Sequence, residues 1–336
     1  MSAKSSKTAL ITGITGQDGG ILSELLLSKG YDVHGIRPYS ATPDLERVNH
    51  IDGLQCHYGD LTDTSNLLRI IETIKPDEIY NLGALTHVHV SFDMPEVTAN
   101  INALGTLRLL EAIRLLGAEK NIRFYQASSS EIFGSSPAPQ NEDTPFAPCS
   151  PYGVSKMAAY WYTRNYRDAY GMFAANGILF NHESPLRGEE FVTRKIVKAI
   201  AAIKKEEQDV LKLGNLNAQR DWGHARDYMD AIWRILQHDT ADDFVIATGE
   251  THSVREFVES ACQHAEINIE WQGNDKEEKA IDTKTGKIIV EIDPDLYRPN
   301  EVNCLQGDYS KAKQVLGWAP QTSFDELVRE MMHAEL

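Results

Sequence analysis

Apolar residues along this chain fall into two alternating rhythms. Short β-branched and apolar bursts predict buried strands at 8–12, 31–36, 56–61, 78–84, 122–127 and 244–249. Between the early bursts, apolar residues recur three and four apart, as in Ile21, Leu22, Leu25 and Leu26, the spacing of a helix with one buried face. Further helices are predicted over 65–75, over 100–116 with Leu104, Leu107, Leu110 and Ala112 inward, and from 151 to about 170. Strand and helix in alternation imply an α/β fold with a doubly wound parallel sheet. After a sixth strand ending near Asn181 the pattern breaks into shorter pieces, with helices over 195–204, 228–237, 254–265, 308–316 and 323–332. The charged, glycine-containing stretch 274–287 reads as an exposed excursion. The expected division is a main domain over 1–181, rejoined by segments near 225–250, and a smaller, discontinuous α/β substrate domain over 182–336.

The first strand runs into Gly13-Ile14-Thr15-Gly16-Gln17-Asp18-Gly19 and then into a helix. Strand, glycine turn and helix make the dinucleotide-binding arrangement of a Rossmann-like fold. The glycines let backbone approach a pyrophosphate, and the helix N-terminus faces it. The second strand is predicted to end at Arg37, a cation where an NAD site has Asp or Glu, which favours NADP over NAD. The third ends on Asp60 and Leu61, the acid placed to reach an adenine amine. The fourth ends on Leu82-Gly83-Ala84, where small residues let a cofactor lie close.

Beyond the fifth strand, Ser128-Ser129-Ser130-Glu131 sets hydroxyls and a carboxylate at a carboxyl end, where ligands bind in such sheets. Ser150-Pro151 then reads as an N-cap and first-turn proline for a helix that carries Tyr152 and Lys156 four apart on one face. The lysine ammonium is expected to lower the phenol's pKa, so that Tyr152 can accept a hydroxyl proton while hydride leaves the same carbon. The proline-rich stretch 137–148 is expected to lie over this site.

Length and composition narrow the class. With 336 residues, 42% of them hydrophobic, the chain can bury a large core, and no apolar run is long enough to span a bilayer. Its start is short and polar, without the apolar region of a signal peptide, so the expectation is a cytoplasmic protein. A net charge of −16 opposes an extended nucleic-acid or anionic membrane surface. The four cysteines, Cys56, Cys149, Cys262 and Cys304, are scattered without a CxxC pair, which suggests free thiols and no metal.

Taken together, the stretches 10–19, 126–131, 150–152, 180–185, 191–195, 220–225 and 297–302 resemble the GDP-mannose 4,6-dehydratases of the extended short-chain dehydrogenase/reductase superfamily. The resemblance runs from Thr8 to about Met332 and implies a lyase that uses NADP, acts on a GDP-sugar and works as a homodimer or homotetramer. It implies that Tyr152 takes the proton from the 4-hydroxyl during oxidation at carbon 4, with Lys156 supporting the phenolate and holding the cofactor ribose. Glu131 would remove the proton on carbon 5, and Ser129 and Glu131 would help water leave from carbon 6. It further implies cofactor contacts from His182 and Arg187. Asn181, Thr193, Lys195, Arg220, Arg298 and Glu301 would face the nucleotide sugar. The chain departs from the family pattern at Ser129, where threonine is usual, at Arg37-Pro38-Tyr39, where two arginines are usual, at Leu186 beside Arg187, and in a Glu131–Tyr152 interval one residue short. Such changes would suit a relative acting on GDP-manno-heptose. A nucleotide-sugar 4-epimerase or ketoreductase would need no base at carbon 5.

Overall fold

The computed structural model describes residues 6–42, 44–297 and 302–336. Its central sheet joins β1 (Thr8–Thr12), β2 (Asp32–Arg37), β3 (Gln55–Tyr58), β4 (Glu78–Asn81), β5 (Arg123–Ser129) and β6 (Phe173–Leu179) to a seventh strand, Asp243–Ile246. The order is Asp243–Ile246, β6, β5, β4, β1, β2, β3, and every pairing is parallel. The chain builds β2 and β3 to one side of β1 and then crosses to β4 on the other. A crevice therefore opens between β1 and β4 at their carboxyl ends.

Both faces of the sheet are covered, so its inner strands are buried along most of their length. Successive residues point to opposite faces. Ile11, Tyr80 and Tyr125 meet Leu22 and Leu26 of α1 (Gln17–Ser28) and Met229 and Ile232 of the helix Ala225–Gln237. Their neighbours Leu10, Ile79 and Phe124 meet Leu67, Ile71, Leu109 and Ile113 of the helices Thr64–Ile74 and Gly105–Leu115 on the other side.

The helix Pro151–Tyr170 starts where its capping chemistry dictates. Ser150 Oγ accepts from the Gly153 N–H at 3.0 Å, Pro151 occupies the first turn, and Gly171 closes the helix with a left-handed φ of 62°. Asp243 anchors it to the last strand of the sheet. This buried carboxylate accepts from Arg167 Nη1 and Nη2 at 2.9 and 2.8 Å, from the Tyr160 hydroxyl at 3.0 Å and from Asn176 Nδ2 at 2.8 Å. So many donors allow a charge to stay inside.

A separate apolar cluster lies in the second half of the chain, with Ile196, Val197, Trp222, Phe257, Val258, Val328 and Met331 at its centre. It packs against a four-stranded sheet of Ile269–Gln272, Lys279–Asp282, Ile288–Ile292 and Leu211–Leu213. The stretch 274–287 is thus only partly an excursion, because Lys279–Asp282 is a paired strand whose Ala280 is fully buried. The long helix expected over 100–116 begins earlier, at Pro95, and passes through a wider π-helical turn at Asn100–Leu104 before Gly105–Leu115. Among the described residues no helix is long and apolar enough to cross a membrane, and the four cysteines are free thiols.

Candidate active site

The crevice at the carboxyl ends of β1 and β4 is a cleft of about 470 Å³. Gly13, Thr15, Gly16, Gln17, Asp18 and Gly19 form its floor, Asp60, Leu61, Leu82 and Ala84 one wall, and Arg187 part of the other. Gly13 has φ +69°, and a Cβ there would sit 2.8 Å from the Gly83 backbone, so glycine alone fits. Gly16 caps α1 without a side-chain hydrogen bond, so the first-turn N–H groups have no side-chain acceptor. A backbone cradle and an uncapped helix start fit a dinucleotide pyrophosphate. Asp60 also lines the cleft, one of its oxygens taking both the Thr62 N–H and hydroxyl at 2.8 and 2.7 Å.

Arg37 is not among the lining residues. It lies over the Tyr58 ring, 4.5 Å from its centre, and donates to the Tyr58 hydroxyl at 3.1 Å. Strand alternation turns Arg37 away from its cleft-lining neighbour Ile36. Arg47, Thr86 and Phe191 line the cleft although the sequence reading passed over them. Thr86 lies five residues beyond the end of β4 and was findable from the carboxyl-end rule. Arg47 sits in an irregular segment that carries no periodic signal.

A set of polar bonds fastens the glycine turn to the chain after β6. His182 Nε2 is 2.8 Å from Asp18 Oδ2, and His182 Nδ1 is 2.8 Å from the Phe180 carbonyl. Both ring nitrogens face acceptors, an arrangement that favours the doubly protonated ring. Burial alone would lower the His182 pKa, but Asp18 raises it on balance. Burial likewise opposes the Asp18 charge, yet His182, Gln17 and Arg187 hold its pKa down at about 2. Gln17 Nε2 donates to the His182 carbonyl at 3.1 Å, and the Ser184 hydroxyl donates to Gln17 Oε1 at 2.7 Å.

Ser129, Glu131, Tyr152 and Lys156 are all buried beside this clasp rather than lining the cleft proper. Ser129 ends β5, and its Oγ accepts from the Glu131 N–H at 3.3 Å. A Cβ at Gly153 would fall 2.7 Å from the Glu131 carbonyl oxygen, so glycine lets the tyrosine helix start against the segment that carries the carboxylate. Burial pushes the Tyr152 phenol up to about 12; a hydrogen bond from Ser129 and the charge of Arg187 oppose that rise, while Glu131 and Asp18 add to it. Phenol, carboxylate and cleft residues therefore share one electrostatic neighbourhood.

Lys156 is not among the main influences on the Tyr152 phenol. Its ammonium donates to the Ala127 carbonyl at 2.8 Å, its nitrogen is 5.9 Å from the centre of the Tyr152 ring, and burial brings its own pKa down to about 8. Desolvation outweighs the attraction that helical spacing suggested.

The residues expected near the sugar lie on adjoining elements. Asn181, His182 and Glu183 pair with Trp222, Gly223 and His224 in a short parallel ladder. Thr193 is enclosed, its hydroxyl donating to Glu183 Oε2 at 2.5 Å, and Arg187 Nε is 3.0 Å from the same oxygen. Lys195 is half-buried, and burial lowers its pKa against the pull of Asp293. Arg220 is buried in a strand paired with His252–Ser253 and Cys304–Leu305. Arg298 and Glu301 lie outside the described residues. A second cavity of about 590 Å³ has Leu216, Asn217, Lys276 and Tyr297 in its walls. Among the described residues, no cluster of three or more His, Cys, Asp or Glu could hold a metal ion.

The family model for GDP-mannose 4,6 dehydratase matches residues 10–331. The chain is 56% identical over 339 residues to GDP-mannose 4,6-dehydratase of Sinorhizobium fredii, covering 98% of this chain and 97% of that one. It is 53% identical over 343 residues to the GDP-mannose 4,6 dehydratase of Homo sapiens, covering 99% and 92% of the two. Among solved structures, the UDP-glucose 4-epimerase of Thermus thermophilus in complex with NAD superposes with a TM-score of 0.81 at 25% identity, over 97% of this chain and 98% of that one.

The clasp generates a titration test. In the parent protein the His182 imidazole should titrate above its ordinary value of 6.5. In Asp18→Asn burial is no longer offset, and the same ring, followed by NMR, should titrate below it. An unchanged His182 titration in the variant would show that the contact carries no electrostatic weight.

Proposed function

As the chain belongs to the GDP-mannose 4,6-dehydratase family and is a hydro-lyase acting on a GDP-sugar, we propose how its own residues divide that reaction. GDP-mannose is converted to its 4-keto-6-deoxy product, and the mannose of the relatives' names supports mannose over manno-heptose. A nicotinamide dinucleotide, when bound, supplies an acceptor for hydride from carbon 4 and a donor of hydride to carbon 6, so the sequence is redox neutral. Tyr152 takes the proton of the 4-hydroxyl, and the Ser129 hydrogen bond stabilises the phenolate against its burial. The 4-ketone then acidifies the proton on carbon 5. Glu131 removes it and, with Ser129, assists departure of the hydroxyl on carbon 6.

The observation that carries this division is the shared electrostatic field of Tyr152, Ser129 and Glu131. A simple exchange of hydride at carbon 4 has no use for a buried carboxylate there. A charged Glu131 also adds to the cost of forming the phenolate.

NADP is the proposed dinucleotide over NAD, since Ile36, Arg37 and Pro38 close β2 with no carboxylate for the ribose hydroxyls. Gly13 to Gly19, Asp60, Leu61, Leu82, Ala84 and Arg187 are proposed to surround it, with His182 acting through Asp18. The main and substrate domains are proposed to meet near Asn181. Asn181, Lys195 and Arg220 are proposed to approach the nucleotide sugar from the substrate domain, with the 590 Å³ cavity toward its nucleotide end.

A homo-oligomer is proposed from the surface. Val97, Leu104, Val154 and Trp161 are 40%, 40%, 49% and 50% exposed on helices that pack side by side, an apolar patch of the kind a second copy covers. Sedimentation should give a dimer or larger, and a monomer at micromolar concentration would remove this proposal. For the chemistry, Glu131→Gln should lower turnover of GDP-mannose about 10²- to 10⁴-fold while calorimetric binding of the nucleotide sugar stays near that of the parent. Turnover close to the parent rate would take the role of base from Glu131.

A further inference from the structure

We propose that Arg47 is the cation that pairs with a phosphate of the dinucleotide, a task that strand position alone would have given to Arg37. This inference rests on the dinucleotide reading above and concerns which residue recognises it. Leu45, Val48 and Ile51 pack onto the core beside α1, with Val48 buried. The packing brings the Arg47 backbone against the first turn of that helix, so close that a Cβ on Gly20 would lie 2.9 Å from the Arg47 carbonyl oxygen. Arg47 thus stands one turn from the uncapped helix start, with its side chain in the cleft lining.

Among the described residues, Arg47 and Arg187 are the arginines and lysines that line the cleft. Their charges are differently committed. Arg187 is 3.0 Å from the buried carboxylate of Glu183 and stacks 3.7 Å from the centre of the Phe191 ring. Arg47 is held in place by donating Nε to the Leu186 carbonyl at 2.8 Å, and its counter-charge is Asp44, 2.6 Å from Nη1. The Asp44 side chain is 61% exposed. An ion pair with a solvated carboxylate contributes little, so a phosphate in the cleft can compete for the guanidinium. The two bonds use two of the five N–H donors of the fork, leaving three for a ligand.

The test is fluorescence titration of the purified protein with NADPH and, separately, NADH, with GDP binding as a third measurement. Arg47→Met should weaken dinucleotide binding about ten- to a hundredfold, exceed the loss caused by Arg37→Met, and leave GDP binding unchanged. Equal losses for both dinucleotides place the pyrophosphate at Arg47, and a loss confined to NADPH places the 2′-phosphate there. Unchanged dinucleotide affinity overturns the assignment, as does a parallel fall in GDP binding, which marks a structural clasp. Asp44→Asn removes the competing carboxylate and should tighten both dinucleotides, so the test survives if Arg47→Met fails to fold; unchanged or weaker binding in that variant counts against Arg47. A parent protein that bound neither dinucleotide would overturn the dinucleotide reading itself.

Discussion

The partly buried pair of Asp18 and His182 holds the site together. One partner belongs to the glycine turn after β1, the other to the segment after β6, and the elements between them carry the tyrosine helix and the serine-glutamate turn. Both ring nitrogens of His182 are satisfied, and Gln17 and Ser184 brace the same junction. This clasp, with the bond from Arg47 Nε to the Leu186 carbonyl, ties the dinucleotide cleft to the chain leading to Arg187, Thr193 and Lys195.

Burial then sets the chemistry. A phenol near 12 and an ammonium near 8 are each displaced toward the neutral form by desolvation. The protein does not answer with a pre-ionised base. It surrounds Tyr152 with a donor, Ser129, and a cation, Arg187, that favour the phenolate, and with carboxylates that oppose it. The proton on Tyr152 is therefore coupled to neighbouring charge, which suits the two deprotonations proposed for the reaction. Net acidity of the whole chain is no obstacle, because the two arginines of the cleft act over a few ångströms while distant surface charge is screened.

Much of this was legible in the residues. The glycine turn, the Ser150-Pro151 cap and the alternation of Leu10 with Ile11 or Phe124 with Tyr125 are local signals, and local structure followed them. What escaped was decided by contacts between distant segments. Lys279–Asp282 is charged at both ends and becomes a strand only because Ala280 and its neighbours pair with flanking strands. Arg37 sits where a cofactor cation is expected but finds Tyr58, and Arg47 reaches the cleft only through the packing of Val48. The sign of the Tyr152 shift depends on how far water is excluded, which no spacing of tyrosine and lysine reports.

The central claim is that oxidation at carbon 4, loss of water and reduction at carbon 6 occur in one enclosed site without exchange of the dinucleotide. GDP-mannose carrying deuterium on carbon 4, turned over in ordinary water with no added cofactor, tests it directly. The account predicts product with the deuterium on carbon 6 and solvent hydrogen on carbon 5. Deuterium retained on carbon 4, or lost to solvent, would contradict it.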